Sequence, residues 1–328
     1  MRPITIPQTF ALLWSTLVAC GGSGGAAPTS PPTRPASVVR QILPASTDAA
    51  IDQANDPHVA VNPSPSVAPK SKLFVFLPGT GAIPTMQQRI LGTAAGRGYH
   101  AIGLSYPNAT AVGTLCADDT DPDCFWDVRR EVISGVNLST RITITPANAI
   151  VHRLERLLAT LQAQFPAEGW GAFLVGGSVD WSRVTLAGHS QGGGHVGVLA
   201  KLVALDRAVY FSSPADWRQV ANTPATWLGR PNVTSATRQF AFIHEQDQLV
   251  PEAQARANWV ALGLDALGPV TSVDGSAPPY GDSHRLTTRA VPALTNAYHG
   301  ATVVDVATPR TATGGSLLET VWIYLAFP

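Results

Sequence analysis

Residues 183–205 read "RVTLAGHSQGGGHVGVLAKLVAL". Residues 183–188 are a largely apolar run of strand length, as in a strand buried on both faces. From Gly192 onward the run 192–205 has the composition of an apolar helix. Between them, Gly188-His189-Ser190-Gln191-Gly192 fits G-x-S-x-G, a serine on a sharp strand-to-helix turn. A serine on such a turn sits in a strained backbone conformation. The residues two before and two after it crowd together, so both must be small. The turn lifts the hydroxyl out of the sheet, and the helix N-terminus aims its free N–H groups at it. The pentapeptide alone is a weak signal. The buried strand before it and the helix after it strengthen the reading of Ser190 as a nucleophile over that of a merely permissive turn.

Outward from this stretch the pattern repeats. An alternating strand is expected at 56–63, buried strands at 72–78 and 100–107, and further strands at 207–214, 239–247 and 269–275. Helices are expected at 85–98, 145–166, 252–265 and 316–327, with Thr145 as N-cap and Pro146 at the first helical position. Ile150, Leu154, Leu157, Leu158 and Leu161 share one face at helical spacing. Strands alternating with helices give an α/β fold with a mostly parallel central sheet flanked by helices. In open sheets of this kind, sites form outside the carboxyl ends of the strands.

Serine is a weak nucleophile without a base, and the base needs a third group to hold its tautomer. The acid is expected after strand 239–247. Asp247, in "DQLVP", is favoured, and Glu245 is the rival. Two later histidines compete for the base. His299 lies in a loop with small neighbours and is favoured. His284, in "SHRLTT", is the alternative, and its strand-like context also suits a hairpin with 269–275. His189 reads as a wall residue, and His195 as facing out of the first helical turn or packing there. One oxyanion donor is expected from the Gln191 backbone. The other is expected from the loop "LPGTGA", with Thr80 first and Gly81 next.

Together, strand–"LPGTG", strand–"GHSQGGG", strand–"HEQDQLVP" and a late histidine resemble the α/β-hydrolase superfamily over residues 56–328. The resemblance implies a serine hydrolase that cleaves carboxylic esters, or less often amides, through an acyl-enzyme, without metal or organic cofactor. "PGTG" departs from the "HGGG" of many lipases and esterases, so those subfamilies' substrates do not carry over. A small-molecule or polymeric ester is expected as substrate, and the chain is expected to act as a monomer. Two other readings stay open on the same fold: a surface lipoprotein that only binds a ligand, and another acyl chemistry such as perhydrolysis or acyl transfer.

The remaining features concern location. Residues 1–19 form a short apolar leader after one arginine, and "LVAC" resembles a bacterial lipobox with Cys20 as the lipidated residue. A Gly/Pro/Ser-rich stretch at 20–55 reads as a flexible tether. The expectation is an exported lipoprotein of the cell envelope, anchored to the membrane only through its N-terminus. In an oxidising compartment Cys116 and Cys124, inside the polar insertion 108–144, are expected to pair; a metal site is the lesser alternative. Net charge is zero with 13% charged residues, so no nucleic-acid or anionic-surface partner is implied.

Overall fold

The computed structural model of this chain describes residues 36–328. The leader 1–19, Cys20 and the beginning of the expected tether lie outside the described residues. Among the described residues, nine strands form one sheet: β1 Val38–Ile42, β2 His58–Asn62, β3 Leu73–Leu77, β4 His100–Gly103, β5 Val184–His189, β6 Arg207–Phe211, β7 Gln239–His244, β8 Thr271–Ser272 and β9 Arg285–Thr288. Their order is β1-β2-β4-β3-β5-β6-β7-β9-β8. β2 pairs antiparallel with both neighbours, and every other pairing is parallel.

The central parallel strands are buried on both faces, and the alternation along β3 shows it. Leu73, Val75 and Leu77 of β3 point into one apolar layer, and Phe74 and Phe76 into the other. The first layer is closed by helices α2 Cys124–Ser134, α3 Ile150–Gln164, α4 Gln191–Leu202 and α5 Glu252–Ala261. The second is closed by α1 Gln88–Gly96 and α6 Glu319–Ala326. Leu154, Leu157, Leu158 and Leu161 of α3 are fully buried, as their spacing predicts. This is a helix–sheet–helix arrangement in three layers. Among the described residues no helix is long and apolar enough to cross a membrane.

Several boundaries differ from the sequence reading. The described part of the expected tether, 36–55, is held in place. Its strand β1 extends the sheet edge in register Val38↔Asn62 to Ile42↔His58, where an exposed strand needs only backbone pairing and so shows little apolar signal. Arg40 on β1 packs over the Phe165 ring and binds Glu168. Buried Arg153 donates to the carbonyls of Gln53 and Ala54, which fixes the following turn. Thr145 and Pro146 open a short 3₁₀ turn, and α3 itself starts after Ala149; the Thr145 side chain caps no helical N–H. The pairing of 269–275 with the His284 segment is parallel, not a hairpin. Cys116 and Cys124 form a disulfide, which commits both sulfurs and removes the metal alternative for that pair.

Candidate active site

Ser190 follows β5 and caps α4 with φ +52° and ψ −118°, a left-handed conformation unusual for a residue with a Cβ. Crowding at the turn explains the flanking glycines. A Cβ on Gly188 would lie 2.4 Å from the Gly192 carbonyl carbon, and one on Gly192 would lie 2.1 Å from the Leu77 carbonyl oxygen. The elbow is also hydrogen-bonded into the sheet, since Ser190 N–H donates to Phe211 O at 2.9 Å.

Asp247 sits three residues past β7 with its side chain fully shielded from solvent. His299 comes from the long loop after β9. His299 Nδ1 lies 2.9 Å from each Asp247 carboxylate oxygen. A carboxylate only accepts, so Nδ1 carries the proton and Nε2 keeps its lone pair when the ring is neutral. Burial alone would raise the Asp247 carboxyl. The His299 hydrogen bond and charge, with the Val250 and Leu249 N–H groups at 2.9 Å, outweigh it and hold the carboxyl below its ordinary range. Asp247 therefore stays ionised beside the imidazole.

The His299 backbone is fastened at both ends. Its N–H donates to Gln248 Oε1 at 2.9 Å, and its carbonyl accepts from Ser212 Oγ and His189 Nε2, each at 2.9 Å. Ser212 has φ +48°, so adjacent strands β5 and β6 are each followed by a serine with positive φ. His189 is a wall residue as expected, with its ring centroid 4.6 Å from that of His299. Of the two readings of His195 the packed one holds: it is buried and packs edge-on against Tyr106.

His284 is placed at the wrong end of the sheet. It precedes β9, whose parallel register sets Arg285 beside Ala241 and Thr288 beside His244. Its Nδ1 binds Gln239 O, and its ring stacks on Phe240 at 4.0 Å, near the amino ends of the strands. Asp247 lies beyond the carboxyl ends. Glu245 is likewise engaged elsewhere, with Thr287 at 2.9 Å and with Arg289.

Ser190, Gln191, Thr80 and His299 line one cavity of about 620 Å³. No hydrogen bond joins the Ser190 hydroxyl to His299 among the described residues; such contacts commonly tighten only around a bound substrate. The loop after β3 is held from outside. Asn108 Nδ2 donates to the carbonyls of Gly79 and Ala82, and Tyr106 hydroxyl donates to Pro78 O. Gly81 N–H is bonded to Asn108 O, which removes it as an anion donor. Thr80 N–H and Gln191 N–H have no acceptor among the described residues. Thr80 Oγ1 also donates to Gln191 Oε1 at 2.9 Å, tying the two donor residues together.

Sequence reasoning missed Arg129, Asp216, Ser212, Ser213 and Asn108. Arg129 on α2 forms a buried ion pair with Asp216, both side chains 2% exposed, and its Nη1 donates to Gln191 O at 2.9 Å. "YFSSP" at a strand's carboxyl end was a usable signal for Ser212 and Ser213. Nothing in the sequence marks Arg129.

Three buried histidines set an acid limit on the fold. Burial pushes His58 down to about 3. Burial, and next the neighbouring His299, pushes His189 down to about 3. Burial and Arg129 push His195 well below its ordinary value. These rings stay neutral in the folded chain, whereas the unfolded chain protonates them near pH 6.5. The unfolded state therefore binds more protons below that pH, and stability falls as pH drops from about 6.5 toward 3, by roughly 1.4 kcal/mol per pH unit per histidine. Denaturant midpoints should drop between pH 7 and pH 5.5, and His195→Phe should flatten the slope. A midpoint unchanged over that interval would contradict the neutral assignment.

No protein-family profile matches this chain, and no curated protein matches it.

Proposed function

We propose that the protein is a serine hydrolase of the α/β-hydrolase kind that cleaves carboxylic esters. The observation that carries this reading is the Asp247–His299 pair at 2.9 Å, which shares a cavity with a serine on a strained elbow. The strand order and the single reversed strand β2 support the same assignment. In the proposed reaction Ser190 Oγ attacks the ester carbonyl while His299 Nε2 takes its proton. Asp247 keeps the imidazole in the required tautomer and stabilises its charged form. The Gln191 and Thr80 N–H groups bind the oxyanion of the tetrahedral intermediate. His299 returns the proton to the leaving alcohol. Water, activated by the same histidine, then releases the acid from the acyl-enzyme. In this reading the enzyme is exported and held at the cell envelope by lipid on Cys20.

Chemistry of the cavity limits the substrate. Its apolar walls include Met86, Val112, Phe125, Trp217, Leu249 and Val304, and its two charged residues, Arg129 and Asp216, neutralise each other. A charged acyl group would lose hydration there without gaining a partner. A panel of p-nitrophenyl esters should therefore show turnover of neutral acyl chains and at least about tenfold lower kcat/KM for an acyl chain ending in carboxylate. Equal turnover of both would contradict the apolar reading, and no turnover of any ester would remove the hydrolase assignment.

A further inference from the structure

The glycines of "GHSQGGGH" beyond the elbow itself point to a second layer of the site. A Cβ on Gly193 would lie 2.4 Å from Ser213 Oγ, and one on Gly194 would lie 2.2 Å from the Arg129 guanidinium carbon. Both glycines clear space for a side chain that arrives from another element and bonds the backbone of the elbow. Ser213 Oγ donates to Ser190 O at 2.9 Å. That carbonyl belongs to the same planar peptide as the Gln191 N–H, and the two groups point to opposite edges of a trans plane. Fixing the carbonyl from behind therefore fixes the direction of the N–H in front. Arg129 Nη1 donates to the next carbonyl, Gln191 O, at 2.9 Å.

Both donors are themselves braced. The Ser213 carbonyl accepts from Trp259 Nε1 at 2.9 Å. Arg129 is forked onto Asp216, which also accepts from Trp227 Nε1 at 2.7 Å. Arg129 rides on α2, whose first residue, Cys124, is disulfide-bonded to Cys116 at the end of the short helix Val112–Cys116. Val112 N–H in turn donates to Gln191 Oε1 at 3.0 Å. The disulfide thus clasps two helices that each deliver one hydrogen bond to the same residue.

We propose that Ser213 and Arg129 are positioning residues for the oxyanion donor: they hold the peptide planes on either side of Gln191 so that its N–H keeps its aim. This inference rests on the serine-hydrolase reading and assigns it a second layer. The test uses the full chain with Ser213→Ala and, separately, Arg129→Lys. The readouts are kcat and KM for p-nitrophenyl butyrate and inhibition by a phenylboronic acid, whose tetrahedral serine adduct mimics the intermediate. Ser213→Ala is expected to lower kcat about fivefold to tenfold, the range for losing one orienting hydrogen bond, with KM within about twofold. The boronic acid inhibition constant should rise by the same factor, and the unfolding temperature should stay near that of the wild type. Arg129→Lys keeps the charge beside Asp216 but loses the buried fork; it should repeat the kinetic pattern, with a lowered unfolding temperature. A packing role alone would lower the unfolding temperature without splitting kcat from KM. Unchanged kcat in either variant, a change confined to KM, or loss of the fold in Ser213→Ala would overturn the proposal. If Ser190→Ala is inactive while Ser213→Ala keeps full kcat, the positioning role alone falls. If Ser190→Ala retains wild-type activity, the underlying reading falls with it.

Discussion

Ser190→Ala is expected to lower kcat/KM for p-nitrophenyl butyrate by about 10⁴-fold or more, with most of the loss in kcat. The alanine keeps the elbow and removes only the attacking oxygen. The apolar walls and the proposed oxyanion donors at Gln191 and Thr80 stay in place, so ester binding should change little. What residual rate survives would come from those donors acting on a water molecule. The effect is large because the other hydroxyl lining the cavity near the donors, Thr80 Oγ1, is committed to Gln191 Oε1 at 2.9 Å. A variant that hydrolyses esters at the wild-type rate would take Ser190 out of the mechanism.

The second large effect separates the acid and base from their rivals. His299→Ala should cost roughly 10⁴-fold in kcat, and Asp247→Asn roughly 10³–10⁴-fold. The asparagine case is the more informative. An amide can donate to Nδ1, which lets the proton settle on Nε2, where the lone pair is needed. The geometry would survive and the tautomer would be wrong. His284→Ala and Glu245→Gln should leave kcat and KM near their wild-type values. His284 is occupied by Gln239 O and Phe240 at the far end of the sheet, and Glu245 by Thr287 and Arg289. Steady-state kinetics on the four variants decides it. Loss of activity in His284→Ala with activity kept in His299→Ala would reverse the assignment.

Much of the fold was legible because the central strands are buried on both faces. "KLFVFLP" contains a continuous apolar run and "RVTLAGH" a largely apolar one, and the helix after Thr145 carries its apolar stripe at full helical spacing. The edges were not legible. β1 is an exposed strand held by its ladder to β2, so its Val-Val-Arg-Gln-Ile has no apolar period to read. β8 is only two residues long, and its parallel pairing with β9 depends on partners distant in sequence. At the site, Ser190 and Asp247 could be found because each follows a recognisable buried strand. Local sequence favoured His299 over His284 only by its loop context. The choice depends on strand direction, which sets one histidine beyond the carboxyl ends and the other at the amino ends. Thr80 was ranked ahead of Gly81 from the sequence, but the physical reason comes from a different segment: Asn108 O occupies the Gly81 N–H. Arg129 was hidden for the same reason, since its partners, Asp216 and Gln191, are brought to it only by folding.

The most direct test of the account is where a fluorophosphonate probe attaches. The intact protein is treated with the probe, digested and analysed by mass spectrometry. The account predicts one adduct, on Ser190 in the peptide containing "GHSQGGGH", absent from Ser190→Ala and strongly slowed in His299→Ala. An adduct on another residue, or an unlabelled protein that still hydrolyses p-nitrophenyl esters, would contradict it.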